Sequence, residues 1–267
     1  MRIFHSTKNA LEKELAKLYK EEARYRSQTQ NRHPLVWGKK LEEKIPQKAR
    51  NGIHKGFQIA FELTFEKGNF IIEKTYNKET REKDFKILDY AVNVKGGHRP
   101  LSALNKESQL SHAANIAVTS ATGIGLGVLG IGLPDIVLWV GMLLRGVYET
   151  ALGYGFDYES PEEKYFILKL LETSMLTGKN WAKANREIDN AISKETLIVP
   201  DSQTLSAQME KTSNAFATDV MVAKFIQGLP IVGVVGGALN PIYYNRVMKY
   251  VQLKYRKRYL LKKLRSQ

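Results

Sequence analysis

Apolar residues recur at helical spacing along most of this chain. Between residues 7 and 27, Leu11, Leu15, Leu18 and Tyr19 fall on one stripe among lysines and glutamates, which predicts an amphipathic helix closed by the polar stretch Ser27 to Pro34. A second helical pattern, from about Gln47 to Tyr76, carries Ile53, Phe57, Ala60, Phe61, Thr64 and Phe65. Its middle also alternates as a strand would, through Phe57, Ile59, Phe61, Leu63 and Phe65; length and the lack of turn signals decide for helix. Arg81 to Val94 reads as a short helix ended by Gly96-Gly97 and Pro100. Ser160-Pro161-Glu162-Glu163 supplies an N-cap serine, a proline at the first helical position and a glutamate placed for a capping box. The helix it opens runs to about Thr177, buries Ile167, Leu168, Leu171 and Met175, and stops at Gly178. Residues 179 to 202 are polar and weakly patterned, and Val199-Pro200-Asp201-Ser202 marks a turn before a helix from about Gln203 to Gln227. Asn240-Pro241 starts a final basic helix with Val247, Tyr250, Val251, Leu260, Leu261 and Leu264 among its lysines and arginines. The predicted class is mainly α, a helical bundle in which two glycine-rich apolar helical hairpins or segments pack together.

Those two segments interrupt an otherwise charged sequence. One extends from Ala113 to Pro134 and, past Asp135, to Leu144; the other runs from Phe225 to Asn245. Both approach the roughly 20 apolar residues of a bilayer-spanning helix. Either they form an unusual buried core or they meet lipid. Gly123, Gly125, Gly127, Gly130 and Gly132 let backbones pack closely, as small residues do between apolar helices, and they equally suit a soluble hairpin. The spacing Gly125-x-Gly127-x-x-Gly130 lacks the strand and the repeated βαβ units of a dinucleotide fold. Gly132-Leu133-Pro134 and Gly228-Leu229-Pro230 place a helix breaker in each run, so re-entrant segments are one option.

Charge sharpens the picture. The 267 residues carry 41 Lys and Arg against 27 Asp and Glu, a formal charge of +14. Ten basic residues and no acidic ones follow Ala223, nine of them between Arg246 and Arg265. Such a tail seeks polyanions, either nucleic acid or the anionic cytoplasmic leaflet, and its position directly after an apolar run favours membrane. Two clean crossings would put both basic ends inside and the acidic portion 145 to 224 outside. Asp135, Arg145 and the amphipathic helix in the middle portion favour peripheral or partial insertion instead. The absence of cysteine excludes disulfides, thiolate metal sites and a cysteine nucleophile. The amino terminus leads directly into charged helical sequence with no signal-peptide pattern, so the bulk of the chain is expected to be cytosolic.

Catalytic patterns are thin. His5, His33, His54, His98 and His112 are scattered with no metal-binding pair, and no nucleophile-elbow spacing occurs. No catalytic residue, metal or cofactor is assigned. Tyr154, Asp157 and Tyr158 follow a helix end and either line a cleft or form a capped turn. Asp135, Arg145 and Glu149 are ionisable groups in an apolar setting. They are either a polar site for a lipid head group or transporter partner, or structural: Asp135 at a helix start and Arg145 paired with Glu149 four residues on.

The segment Gly130-Ile131-Gly132-Leu133-Pro134-Asp135-Ile136-Val137, with Leu143-Leu144-Arg145-Gly146-Val147-Tyr148-Glu149, Tyr154-Gly155-Phe156-Asp157 and Pro161-Glu162-Glu163-Lys164, resembles the signature of the EcsC family. Lys44-Ile45-Pro46-Gln47-Lys48 and the stretch from Ile226 through Pro230, Gly233, Gly236 and Gly237 to Asn240 are similar to it as well. The resemblance covers roughly residues 40 to 260. It implies a bacterial helical protein, associated in the type member with an ABC-transporter operon, and implies no known reaction. The expected organisation is an amino-terminal amphipathic helix and linker over 1–39 and an EcsC-like helical domain with its basic carboxyl-terminal helix over 40–267. The expected role is a non-enzymatic accessory protein on the cytoplasmic face of the membrane, with anionic lipid and an ABC-transporter component as partners. The alternative is a soluble helical enzyme or carrier enclosing an apolar ligand. Candidate partner- or lipid-binding residues are Asp135, Arg145, Glu149, Gly123, Gly127, Pro134, Gly233, Gly236, Arg246, Arg256, Lys257 and Arg258.

Overall fold

A computed structural model describes residues 2–30, 45–67, 72, 76–107, 132–226 and 239–267. They are helical: α1 (Arg2–Gln30), α2 (Gln47–Glu62), α3 (Lys78–Lys95), α4 (residues 98–107), α5 (Gly132–Gly153), α6 (Pro161–Met175), α7 (Gly178–Lys194), α8 (Ser202–Ile226) and α9 (Leu239–Arg265). No strand occurs among the described residues. The ambiguous middle of the second pattern is helix, and α2 continues as a π-helical turn over Leu63–Lys67. There the Thr64 hydroxyl donates to the Ala60 carbonyl at 2.6 Å, the backbone competition by which threonine perturbs a regular helix.

Local chemistry explains most boundaries. Asn77 caps α3 by accepting from the Thr80 amide at 2.9 Å, and Asp201 caps α8 by accepting from Thr204 at 2.7 Å. Ser160 caps α6 as its sequence predicts, accepting from the Glu163 amide at 3.3 Å. Pro100 lies in the first turn of α4, a position where a missing amide costs nothing. Gly132-Leu133-Pro134 lies within α5, the residues before Gly132 being outside the described ones. One expectation needs correction. Residues 178–194, weakly patterned to the eye, form α7, which buries Trp181, Ala184, Asn185, Ile188 and Ile192 on one stripe.

The core is one cluster that takes side chains from α1 through α9. Leu11 and Leu18 of α1 are fully buried while Tyr19, expected on the same stripe, is exposed. Helix α2 packs on α5 and α8; α6 packs on α7, α8 and α9; and α9 touches α1, α5, α6 and α7. Helices α5 and α9 run parallel, since Trp139 meets Tyr243 near their starts and Tyr154 meets Tyr259 near their ends. They approach closely at Gly146, where an added Cβ would collide with Tyr244 and Met248.

Helix α5 ends in a Schellman motif. The Phe156 amide donates to Ala151 and the Gly155 amide to Leu152, each at 2.9 Å, with Gly155 left-handed at φ +75. A Cβ at Gly155 would overlap the Phe85 ring, whereas one at Gly97, φ +83, meets nothing. Gly155→Ala is therefore expected to cost about 2–4 kcal/mol from backbone strain plus overpacking, and Gly97→Ala about 1 kcal/mol from strain alone. Denaturant midpoints of the two variants check this; equal losses would remove the packing contribution.

Candidate functional site

Helix α9 determines what the charged residues can do. Tyr250, Val251, Leu253, Lys254, Tyr255 and Lys257 are all buried, a run that covers more than half the circumference of a helix of 3.6 residues per turn and leaves a strip with Asn245, Lys249, Gln252 and Arg256. Cations on the buried arc must be matched inside the protein. Lys254 Nζ lies 2.7 Å from both Glu22 of α1 and Asp189 of α7. Lys257 Nζ lies 2.9 Å from the same two carboxylates. Two ammonium groups and two carboxylates thus form a closed, neutral quartet. Asp189 also accepts from Asn185, which in turn accepts from the Tyr250 hydroxyl, both at 2.9 Å.

The quartet's protonation states follow from its geometry. Burial disfavours the Asp189 carboxylate, but the charges and hydrogen bonds of Lys254 and Lys257 outweigh it and hold its pKa below the usual range. Burial likewise opposes the Lys257 ammonium, and Asp189 and Glu22 reverse that and raise it. Burial, then Asp189, push the Tyr250 hydroxyl well above its ordinary range, so it stays a donor.

Further along α9 the same logic repeats. Arg258 donates to both Glu163 oxygens, at 2.9 and 2.7 Å, while its guanidinium lies 3.9 Å from the centre of the Phe156 ring. The Tyr255 hydroxyl donates to Glu163 at 2.6 Å. Burial dominates at Glu163 and raises its carboxyl despite Arg258. Arg256 pairs with Glu14 and Glu21 of α1. Arg246 pairs with Asp219 at 2.8 Å and caps the end of α6 by donating to the Met175 carbonyl at 2.9 Å. Lys263 binds Asp89 at 2.7 Å.

Arg246, Arg256, Lys257 and Arg258, candidates for binding a partner or lipid, are thus each engaged by internal carboxylates. Arg145 and Glu149 pair at 3.3 Å on α5, with Glu149 almost fully buried, which matches the structural alternative for that pair. Asp135 and Pro134 lie in α5, but their side chains are outside the described residues. Gly123, Gly127, Gly233 and Gly236 also lie outside them. Asp157 makes the capped turn by accepting from the Glu159 amide. Tyr158 is buried, stacked on Tyr148 at 4.2 Å, and Tyr154 lines a cleft of about 450 Å³ between α1 and α9. His54 hydrogen-bonds Asn214 at 2.8 Å, and no cluster of three metal-ligating side chains occurs among the described residues.

Two clean membrane crossings are incompatible with this arrangement. Asp189 and Glu163, both in the 145–224 portion, are ion-paired with α9 and share its core. The one described helix long and apolar enough to cross a bilayer is α5, over Ile136–Gly153, and 67% of that stretch is buried against other helices.

A helical assembly with a basic helix threaded through its core, neutralised from α1, α3, α6, α7 and α8, defines the class. Within that class the chain belongs to the EcsC protein family, whose model matches residues 9–260. The match begins inside α1, ahead of the quoted resemblance at residue 40, in keeping with the place of α1 in the core. Comparison with curated proteins and with solved structures finds no match.

Proposed function

We propose that this protein is a non-enzymatic accessory protein, held at the cytoplasmic face of a bacterial membrane, that assists or regulates a membrane partner such as an ABC transporter. One observation carries the reading: both described borders of the second glycine-rich run and the carboxyl-terminal border of the first come together. Trp139 near the start of α5 meets Tyr243 near the start of α9 and Phe216 of α8. Asp219 of α8 joins Arg246 of α9. The second apolar run therefore leaves and re-enters the assembly where the first run joins α5, while the described end of α4 ahead of the first run lies by Tyr154 at the other end of α5; the shared border suits a site of contact with lipid or with an apolar partner surface.

Because the carboxylates of the other helices neutralise most of α9, this reading assigns attachment to apolar contact and not to the basic tail. The expected result is that the protein fractionates with membranes, stays there in about 1 M salt, where the screening length falls to about 3 Å, and leaves in mild detergent. Release by salt alone would sink the apolar mode of attachment. Recovery in the soluble fraction from the start would sink the membrane reading and favour the enclosed-ligand alternative.

A further inference from the structure

The 450 Å³ cleft between α1 and α9 lies outside the neutralised network in one respect, its excess of cations. Its walls are two helix faces. Arg24 and Gln28 are four residues apart on α1, and Lys249, Gln252 and Arg256 recur at helical spacing on α9. The two helices are held antiparallel by the Tyr25–Tyr250 stack at 5.5 Å and the Glu22–Lys254 pair. Against three cations the lining offers one carboxylate, Glu21, which is already paired with Arg256.

Among the described residues, neither Arg24 nor Lys249 has a carboxylate partner; the Lys249 ammonium lies 5.9 Å from the centre of the Tyr25 ring. They differ in this from Lys254, Lys257, Arg258 and Lys263, which pair at 2.7 to 2.9 Å. Two more donors belong to the same walls. Gln252 Nε2 and Arg256 Nε are buried and make no hydrogen bond among the described residues, an arrangement that native proteins avoid unless something fills it.

We infer that the cleft between Arg24 and Gln28 of α1 and Lys249, Gln252 and Arg256 of α9 is a binding site for a phosphate ester. A dianionic phosphate answers the two cations without a carboxylate partner, Arg24 and Lys249, and offers several acceptor oxygens to guanidinium and amide donors. The volume lies within the range of small-molecule sites and leaves room for a short organic portion against Leu253 and Tyr154, whose hydroxyl is anchored on Asn105. The site goes beyond the accessory role proposed above and does not depend on membrane attachment, because phosphate esters occur both free and as lipid head groups.

The test uses the full chain and two probes: glycerol phosphate by calorimetry, and flotation with phosphatidylcholine vesicles with or without phosphatidic acid. The variant is Arg24→Gln with Lys249→Gln, both exposed; the charge-matched control is Lys55→Gln with Lys211→Gln, exposed positions on α2 and α8. Binding of either probe is expected to weaken by about tenfold or more in the cleft variant, as loss of charge-assisted contacts predicts, and to be unchanged in the control. Binding of glycerol phosphate identifies a free ester as sufficient; binding of phosphatidic acid vesicles alone identifies the lipid head group. Failure of both probes, or equal weakening in variant and control, overturns the assignment.

Discussion

Replacing Asp189 with alanine should destabilise the protein by about 3–5 kcal/mol, the cost of leaving buried charge uncompensated. Lys254 and Lys257 are 3% and 7% exposed at the side chain and would be left sharing Glu22 alone. The loss is larger than any surface pair would give. Converting the whole quartet to apolar residues, with Glu22→Leu, Asp189→Leu, Lys254→Met and Lys257→Met, should recover most of it, because desolvation and attraction disappear together. Chemical denaturation of the two proteins measures both, and a quartet variant as unstable as Asp189→Ala would refute the charge argument.

The stability difference between wild type and Asp189→Ala should also depend on pH in a stated direction. The folded Asp189 pKa is lowered, so its contribution is present above the ordinary carboxyl range and is lost as pH falls through the folded value. Lys257 is raised, so its contribution is present below the ordinary lysine range and is lost as pH rises through the folded value. The difference should therefore be flat around neutrality and shrink at both extremes. Glu163, whose raised carboxyl adds stability as pH falls, is intact in both proteins and cancels in the comparison.

The second large effect is expected at Trp139. Its ring meets Phe57 at 6.0 Å, Phe216 at 5.6 Å and Tyr243 at 6.4 Å, joining α2, α5, α8 and α9. Trp139→Ala should cost about 3–5 kcal/mol through lost burial and the cavity left behind. Trp139→Phe should cost less than about 1.5 kcal/mol, because the indole N–H makes no hydrogen bond among the described residues and nothing polar is stranded by its removal. Thermal unfolding followed by circular dichroism separates these cases. Comparable losses for Phe and Ala would mean that the indole itself, and not its volume, holds the four helices together.

Where local chemistry decides structure, the sequence is legible. Ser160-Pro161 and the periodic leucines of α1 each locate a helix through caps, proline tolerance or repeat spacing, effects that act within one or two turns. Helix α7 escaped because its five buried positions include a small residue and an asparagine, so the stripe is regular while its hydrophobicity is low. The fate of the basic helix was harder to read. Its charges are visible, but the carboxylates that bind them lie in α1, α3, α6, α7 and α8, and no local rule pairs Glu22 with Lys254. One signal was present: valine, leucine and tyrosine recur around most of α9, which leaves only a narrow solvated strip for nine basic residues. The cleft is assembled from the first and last helices and carries no motif at all.

The ion pairs that join α1 to α9 span 232 to 242 residues of sequence. During synthesis the first helix emerges with Glu14, Glu21 and Glu22 while their lysine and arginine counterparts do not yet exist. At about 5–20 residues per second, this amino-terminal helix waits many seconds before its electrostatic partners leave the ribosome. Glu163 and Asp189 wait as well, for a shorter time. The helix around which the others close is thus made after all of them, so this interior can be completed only once α9 has left the ribosome.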